Sequence, residues 1–205
     1  MMRKSIAGGI LFLFCLPLFS LLPSSVSAGE PTDQVKQSVD AVLDVLRNKE
    51  LKKPENTDQR RTKIRTIVNQ RFDFEEMAKR SLAQHWKKRS PEEQKEFVAL
   101  YSDLLENTYI RKIERYENEK VVYGEEKVEG TYAVVKTNII TTKQVEIPIE
   151  YRLLKEGDQW KAYDVVIEGV SLVNNYRTQF SSIIRSSSYE ELVKRLKNKA
   201  LKEPT

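Results

Sequence analysis

Residues 145–154 read VEIPIEYRLL, and this stretch decides the fold class of the chain. Its apolar side chains fall on every second position: Val145, Ile147, Ile149, Tyr151 and Leu153. The charged residues Glu146, Glu150 and Arg152 lie between them. A period of two is typical of a β-strand with one face buried and the other in water. Pro148 lacks an N–H group, which predicts a sheet edge or a bulge at this position.

Three further segments rich in β-branched and aromatic residues surround this one, and they predict strands at residues 120–128, 131–141, 145–154 and 159–168. Short connections separate these strands, at residues 129–130, 142–143 and 156–158. Connections of this length join antiparallel neighbours. The sequence therefore predicts a meander of about four strands, with the sheet spanning about residues 119–169.

In the sequence before and after the predicted strands, at about residues 31–116 and 171–199, the apolar residues recur with the period of a helix. The clearest start signal is Ser90, Pro91 and Glu93, which supply a cap, a proline at the first helical position and the acidic residue of a capping box. Asp73 is the predicted cap of a shorter helix. Helices laid on one face of an antiparallel sheet make an α+β fold.

The first 28 residues have the order of a secretory signal peptide. Arg3 and Lys4 precede an apolar run over residues 6–22, and Ala28 ends a triplet of small residues. This order predicts export and cleavage after Ala28, which leaves residues 29–205 as one domain. The alternative is a membrane anchor, but an apolar run of about 17 residues is at the short limit for spanning a bilayer.

Composition excludes several classes of protein. The chain has 205 residues, a net charge of +5 and one cysteine, Cys15, which lies within the predicted signal peptide. The exported domain therefore has neither a disulfide nor a thiolate metal site. Basic residues are interleaved with acidic ones, so we expect no nucleic-acid partner. The basic clusters at residues 60–65 and 87–89 could contact anionic lipid head groups or acidic proteins, or form solvated helix faces.

Candidate catalytic groups are few. His85 is the only histidine, and one imidazole cannot build a typical zinc site. Asp164 and Glu168 are predicted on one strand face together with Trp160 and Val166. At roughly 3.3 Å per residue the two carboxylates would lie about 13 Å apart, too far for a cooperating pair. We therefore expect no catalytic residue, no metal and no cofactor, and a structural or partner-binding role for Asp164.

Several segments carry a resemblance to a known family. They are FDFEEMA at 72–78, Trp86, SPEEQKEF at 90–97, LLENTY at 104–109, WKAYDVVIEGVSLV at 160–173, Tyr176, Arg177 and Phe180. In this order and spacing they resemble the MlaC or toluene-tolerance family over about residues 35–196. The resemblance implies a curled sheet like that of nuclear transport factor 2, with a helical subdomain enclosing an apolar cavity.

The resemblance also implies a function. Members of the family are periplasmic carriers that shuttle phospholipid between an outer-membrane lipoprotein complex and an inner-membrane ABC transporter. That activity supports outer-membrane lipid asymmetry and solvent tolerance, and it makes the chain a non-enzymatic component. A hopanoid-associated branch of the same family is the alternative, and a periplasmic adaptor that binds no lipid is a second.

The physical chemistry of lipid transfer indicates which side chains matter. Exposing about 30 methylenes of a two-chain lipid at roughly 0.8 kcal/mol each costs on the order of 25 kcal/mol, so a carrier must enclose the tails. The apolar stripes facing the sheet give the predicted lipid-binding residues: Phe74, Met77, Leu82, Trp86, Phe97, Leu100, Tyr101, Leu104, Leu105, Tyr109, Ile147, Ile149, Tyr151, Tyr163, Val165, Ile167, Val170, Leu172, Val173, Tyr176 and Phe180. Because periodicity does not separate a cavity wall from a filled core, the same residues could instead pack on one another.

Overall fold

The computed structural model describes residues 29–199, and the predicted signal peptide lies outside the described residues. Four α-helices precede the sheet: α1 (Glu30–Arg47), α2 (Thr57–Arg71), α3 (Phe74–Leu82) and α4 (Pro91–Glu114). Two follow it: α5 (Leu172–Ser186) and α6 (Tyr189–Lys197). Short 3-10 helices occupy Pro54–Asn56 and Ala83–Lys88. Among the described residues no helix is long and apolar enough to span a bilayer.

Side-chain caps set the starts of several helices. Ser90 and Glu93 form the predicted capping box at the start of α4. The Asp73 carboxylate accepts a hydrogen bond from the Glu76 N–H at 2.8 Å and caps α3, as predicted. Ser171 and Ser188 cap α5 and α6 in the same way. Each cap satisfies a backbone donor that has no partner within its helix, so these four boundaries follow from local chemistry.

The sheet is an antiparallel meander, as predicted, in the order β1-β2-β3-β4-β5. Its strands are β1 (Lys120–Glu129), β2 (Tyr132–Ile140), β3 (Glu146–Glu156), β4 (Gln159–Ile167) and β5 (Val170–Ser171). The two-residue β5 was not among the predicted strands. The fold is α+β, and the curled sheet has five strands rather than about four.

Two predictions about the third strand are wrong. Val145 is not on the buried face, because it precedes β3 and is 54% exposed. β3 is an interior strand, so Pro148 lies at neither a sheet edge nor a bulge. The proline is tolerated because β4 pairs with β3 only as far as Ile167, and the Glu168 N–H donates to the Pro148 carbonyl just beyond that point. Pro148 therefore lies just beyond the last pair of the β3–β4 ladder, where the N–H that it lacks is not needed for strand pairing.

A β-bulge in β4 overturns the predicted grouping of its side chains. Arg152 pairs with Asp164 and Leu153 pairs with Ala162, so Tyr163 is an extra residue in β4. The extra residue reverses the alternation. Asp164 therefore lies on the face opposite to Trp160, and does not share a face with it as predicted.

Glu168, the other carboxylate of the predicted pair, follows the end of β4 and has a positive φ of 50°. It is not on the strand at all, so the predicted carboxylate pair on one strand face does not form.

The buried side chains form three clusters. The first lies among α3, α4, α5 and α6, with Phe97, Tyr101, Tyr176 and Phe180 at its centre. The second joins α1 to the sheet: Val35, Ala133, Val135, Leu153, Trp160 and Ala162. The third joins α1, α2 and α4: Leu46, Ile64 and Ile110. The helices that pack on the sheet are α1, α2, α3 and α5, whereas α4 packs chiefly on α3 and α6.

Polar contacts fix α1 on the sheet. The Gln34 side-chain oxygen accepts a hydrogen bond from the Trp160 N–H at 2.9 Å. The Arg71 guanidinium donates to the same Gln34 oxygen at 2.7 Å. The Thr32 N–H donates to the Glu126 carboxylate at 2.8 Å. These contacts hold the first helix against β1 and β4, which are distant in the sequence.

Candidate functional site

The helix-facing side of the sheet is apolar and becomes progressively less covered along its length. Register places side chains of neighbouring strands in rows across the sheet. In the first row Ala133, Leu153 and Ala162 are all buried, whereas Val128 of the edge strand β1, which pairs with Ala133, is 48% exposed. In the second row Val135 and Val165 are buried and Tyr151 is half-buried, and the β1 member is the half-buried Glu126, whose carboxylate binds the Thr32 N–H of α1.

In the third row Thr137 is buried, whereas Tyr123, Ile149 and Ile167 are half-buried. In the fourth row every member is half-buried: Val121, Ile139 and Ile147. We name this fourth row the open row. Over β2, β3 and β4 the helices thus seal one end of the apolar sheet face and leave the other end partly uncovered.

Half-buried apolar side chains also border the three clusters. Tyr151 packs against both the first and the second cluster, and so does Phe72. From the helices, Leu104 and Tyr109 of α4 border the first cluster, and Leu43 of α1 borders the third. The buried clusters are therefore separate, with partly covered apolar surface between them. Partly covered apolar surface of this kind is suited to an apolar ligand.

Two phenols stand on this apolar face. Burial raises the pKa of Tyr151 to about 12, although part of its side chain remains accessible. Burial also raises the pKa of Tyr123, whose hydroxyl is buried and has no hydrogen-bond partner among the described residues. Both groups therefore lie in a place removed from bulk water. A few polar groups in an apolar site orient a ligand that is itself mostly apolar.

The structure divides the predicted lipid-binding residues into two sets. Buried side chains that pack on one another in the first cluster are Met77, Leu82, Trp86, Phe97, Tyr101, Leu105, Val165, Leu172, Val173, Tyr176 and Phe180. Half-buried side chains are Phe74, Leu100, Leu104, Tyr109, Ile147, Ile149, Tyr151, Tyr163, Ile167 and Val170. Of these, Ile147, Ile149, Tyr151 and Ile167 come together on the apolar sheet face.

Tyr163 does not join that group. It is the bulged residue of β4, and its ring lies under the Arg80 guanidinium, 4.1 Å from the guanidinium carbon to the ring centroid.

Sequence reasoning missed the part of the face that β1 and β2 contribute. Val121 and Tyr123 lie on it from β1, and Thr137 and Ile139 from β2. The period-two pattern of these strands was a signal that could have found them, because residues two apart in a strand share a face.

The side chains considered as catalytic candidates are Asp164 and His85, and the contacts of Asp164 stabilise the fold. The buried Asp164 carboxylate accepts hydrogen bonds from the Ser171 hydroxyl at 2.6 Å, the Val173 N–H at 3.1 Å and Arg152 at 3.2 Å. It thus ties β4 to the start of α5. Burial, and then the positive charges of Lys88, Arg89 and Arg185, lower the pKa of His85. Within residues 29–199 no cluster of three or more potential ligands could hold a metal ion.

The basic cluster of α2 is used within the fold. Arg60 and Arg61 both bind the Glu114 carboxylate, at 2.7 Å and 2.8 Å. Arg65 binds Glu106 of the same helix, α4. Burial alone would raise the pKa of Glu114, but the hydrogen bonds from Arg61 and Arg60 hold it below its ordinary value. These arginines therefore fasten α2 to α4.

Comparison with known proteins gives curated relatives at low identity. The intermembrane phospholipid transport system binding protein MlaC of Haemophilus influenzae is 22% identical over 192 residues, which cover 91% of this chain and 90% of the relative. The toluene tolerance protein ttg2D of Pseudomonas putida is 25% identical over 176 residues, covering 84% of this chain and 80% of the relative.

A solved structure has the same fold. It is that of the phospholipid-binding protein from Ralstonia solanacearum in complex with a phospholipid, with a TM-score of 0.73 and 24% identity. The match covers 83% of this chain and 97% of that one. The model of the MlaC protein family matches residues 36–198. The chain therefore belongs to the MlaC protein family.

Proposed function

We propose that this protein is a periplasmic phospholipid carrier, which shuttles lipid between an outer-membrane complex and an inner-membrane ABC transporter. The observation that carries the proposal is the apolar sheet face that the helices seal at one end and leave partly uncovered at the open row. Membership of the MlaC family, the phospholipid transport role of the Haemophilus influenzae relative and the phospholipid bound in the Ralstonia solanacearum structure support the same class of ligand.

The site suits acyl chains better than a polar substrate. The uncovered part of the face is lined by Ile139, Ile147, Ile149 and Ile167, and apolar side chains of α4 border the neighbouring cluster. Each methylene that leaves water on this surface contributes about 0.8 kcal/mol. The phenol of Tyr151, whose side chain is partly accessible, offers a hydrogen bond to ester oxygens, which are the polar groups closest to the tails.

A carrier needs no catalytic group of its own, and we propose that this chain is not an enzyme. The carboxylate of Asp164 is engaged by three donors, and the charged groups that act on His85 are the cations Lys88, Arg89 and Arg185 rather than an orienting carboxylate. Energy for lipid release would come from the transporter, which would favour the emptied conformation of the carrier.

Native mass spectrometry of protein expressed from the full-length sequence tests the proposal. We expect the protein mass to correspond to a chain starting at Gly29, and a bound phospholipid to be identified by organic extraction of the same sample. A bound hopanoid would place the ligand in the other class. Protein that is empty, and that takes up no lipid from added vesicles, would contradict the carrier function and favour an adaptor.

A further inference from the structure

A polar pocket lies away from the apolar site, between α3, α5 and the strands β3 and β4. Its volume is about 380 Å³. The charged residues that line it are Arg80, Arg152, Arg177 and Asp164. Arg152 and Asp164 lie on the sheet face opposite to Tyr151, because they alternate with the residues of the apolar rows. The lining therefore carries three positive charges and one negative charge.

The bulge of β4 builds this pocket. It turns Tyr163 and Asp164 toward α3 and α5, and Asp164 binds the first turn of α5 through Ser171 and the Val173 N–H. Asn174 and Arg177 are three residues apart on α5, so both face the pocket from one side of the helix. The pocket is thus held by a strand, a helix start and their shared carboxylate.

The arginines are positioned before any ligand arrives. The Arg80 guanidinium stacks on the ring of Tyr163 and binds Glu76 at 2.8 Å. Arg177 donates from its Nε to the Arg80 carbonyl at 3.0 Å. A guanidinium fixed in this way loses little conformational entropy on binding a ligand.

The charges of the pocket are not balanced. Arg152 is paired with Glu150 and Asp164, and Arg80 is paired with Glu76. Within residues 29–199, Arg177 has no carboxylate partner, and its Nε–H is bound only to a carbonyl. Its terminal amino groups therefore remain available, together with the Asn174 side-chain amide.

We propose that this pocket binds a phosphate group. Guanidinium groups approach it from α3, β3 and α5, and a tetrahedral oxyanion can accept hydrogen bonds from several directions at once. The volume also leaves room for a substituent on the phosphate. The phosphate could be free in solution, or belong to a lipid head group that reaches the pocket around the part of the β4 edge that β5 leaves unpaired, while the tails lie on the opposite face of the sheet. Binding of a lipid head group rests on the proposed function, whereas binding of free phosphate, which we call the free source, does not.

Calorimetric titration of the delipidated protein with inorganic phosphate tests the free source. We expect Arg177→Gln to weaken binding at least tenfold. The matched control is Arg185→Gln, which removes the same charge from an exposed position in the last turn of α5 and should bind as the wild type does. Circular dichroism reports on folding. If Arg177→Gln does not fold, Arg177→Lys carries the test, because it keeps the charge but loses the planar fork and should still bind more weakly than the wild type.

Retention of phosphatidylglycerol against diacylglycerol, which lacks the phosphate, tests the head-group source. Selective loss of phosphatidylglycerol in Arg177→Gln supports this source, and loss of inorganic phosphate binding alone supports the free source. If Arg177→Gln alters neither, the proposal is overturned. If the wild type retains no lipid at all, the proposed function fails, while the titration with inorganic phosphate still decides whether the pocket binds phosphate.

Discussion

A charge placed in the open row should expel lipid without unfolding the protein. Ile147 is half-buried, at the least covered end of the apolar sheet face, so Ile147→Glu adds a carboxylate where the proposed acyl chain would lie. An ionised carboxylate cannot enter hydrocarbon without a partner, so the chain must withdraw from this position.

The size of the effect follows from the sheet geometry. Neighbouring strands are about 4.8 Å apart, and an acyl chain crossing one such spacing places roughly four methylenes on the sheet. Returning these methylenes to water at about 0.8 kcal/mol each costs on the order of 3 kcal/mol. That cost corresponds to a loss of roughly two orders of magnitude in lipid affinity.

The assay is displacement of a fluorescent phospholipid from the delipidated protein, with native mass spectrometry of the purified variant alongside it. Val122→Glu is the matched control, because Val122 is 46% exposed and lies on the opposite face of the sheet, paired with Asn138. The control should bind lipid as the wild type does. Equal lipid affinity for Ile147→Glu and the wild type would refute the location of the site.

Three further predictions concern stability. Asp164→Ala should lower the free energy of unfolding by about 1–3 kcal/mol, because it leaves the Ser171 hydroxyl and the Val173 N–H without their acceptor, while Arg152 keeps Glu150 as a partner. A loss below about 1 kcal/mol in urea unfolding would contradict the role of the carboxylate in joining β4 to α5. Glu114→Gln should cost roughly 1–3 kcal/mol at neutral pH. The pKa of Glu114 lies below its ordinary value of 4.5, so the stabilisation is fully present above pH 4.5 and is lost as the pH falls through the lowered pKa. If the difference in stability between Glu114→Gln and the wild type did not shrink in acid, the ion pairs would not be its cause. Tyr123→Phe should raise the free energy of unfolding of the delipidated protein by about 1 kcal/mol, because it removes a buried hydroxyl that has no hydrogen-bond partner among the described residues. A lower thermal unfolding temperature for the variant would show instead that the hydroxyl makes a hydrogen bond.

Local signals in the sequence were sufficient for the helix starts and the order of strands. Ser90 and Asp73 cap helices through contacts within three residues, so their role can be seen in a short window. The antiparallel order followed from the short connections between strands. Interactions of this kind depend little on the rest of the fold.

Other features depend on contacts that no short window contains. The extra residue at Tyr163 has no local signature, because the segment around it alternates as an unbroken strand would, and its effect appears only in the pairing with β3. Likewise Phe97 and Leu104 lie on one helix stripe, yet one is fully buried and the other is half-buried. The number of layers that cover a side chain decides between core and cavity wall, and the helical period does not record it.

The attachment of α1 to the sheet has a consequence for how the chain folds. Gln34 is bound by the backbone of Trp160, 126 residues further on, and Val35 packs with residues of β2, β3 and β4. Contacts so distant in sequence close late, because a long loop must first lose its entropy. The end of α1 that carries Val35 lacks its full set of partners until β4 is available, whereas the end that carries Leu46 packs on α2 and α4 in the third cluster. Completion of the second cluster is therefore postponed until more than three quarters of the chain has been made.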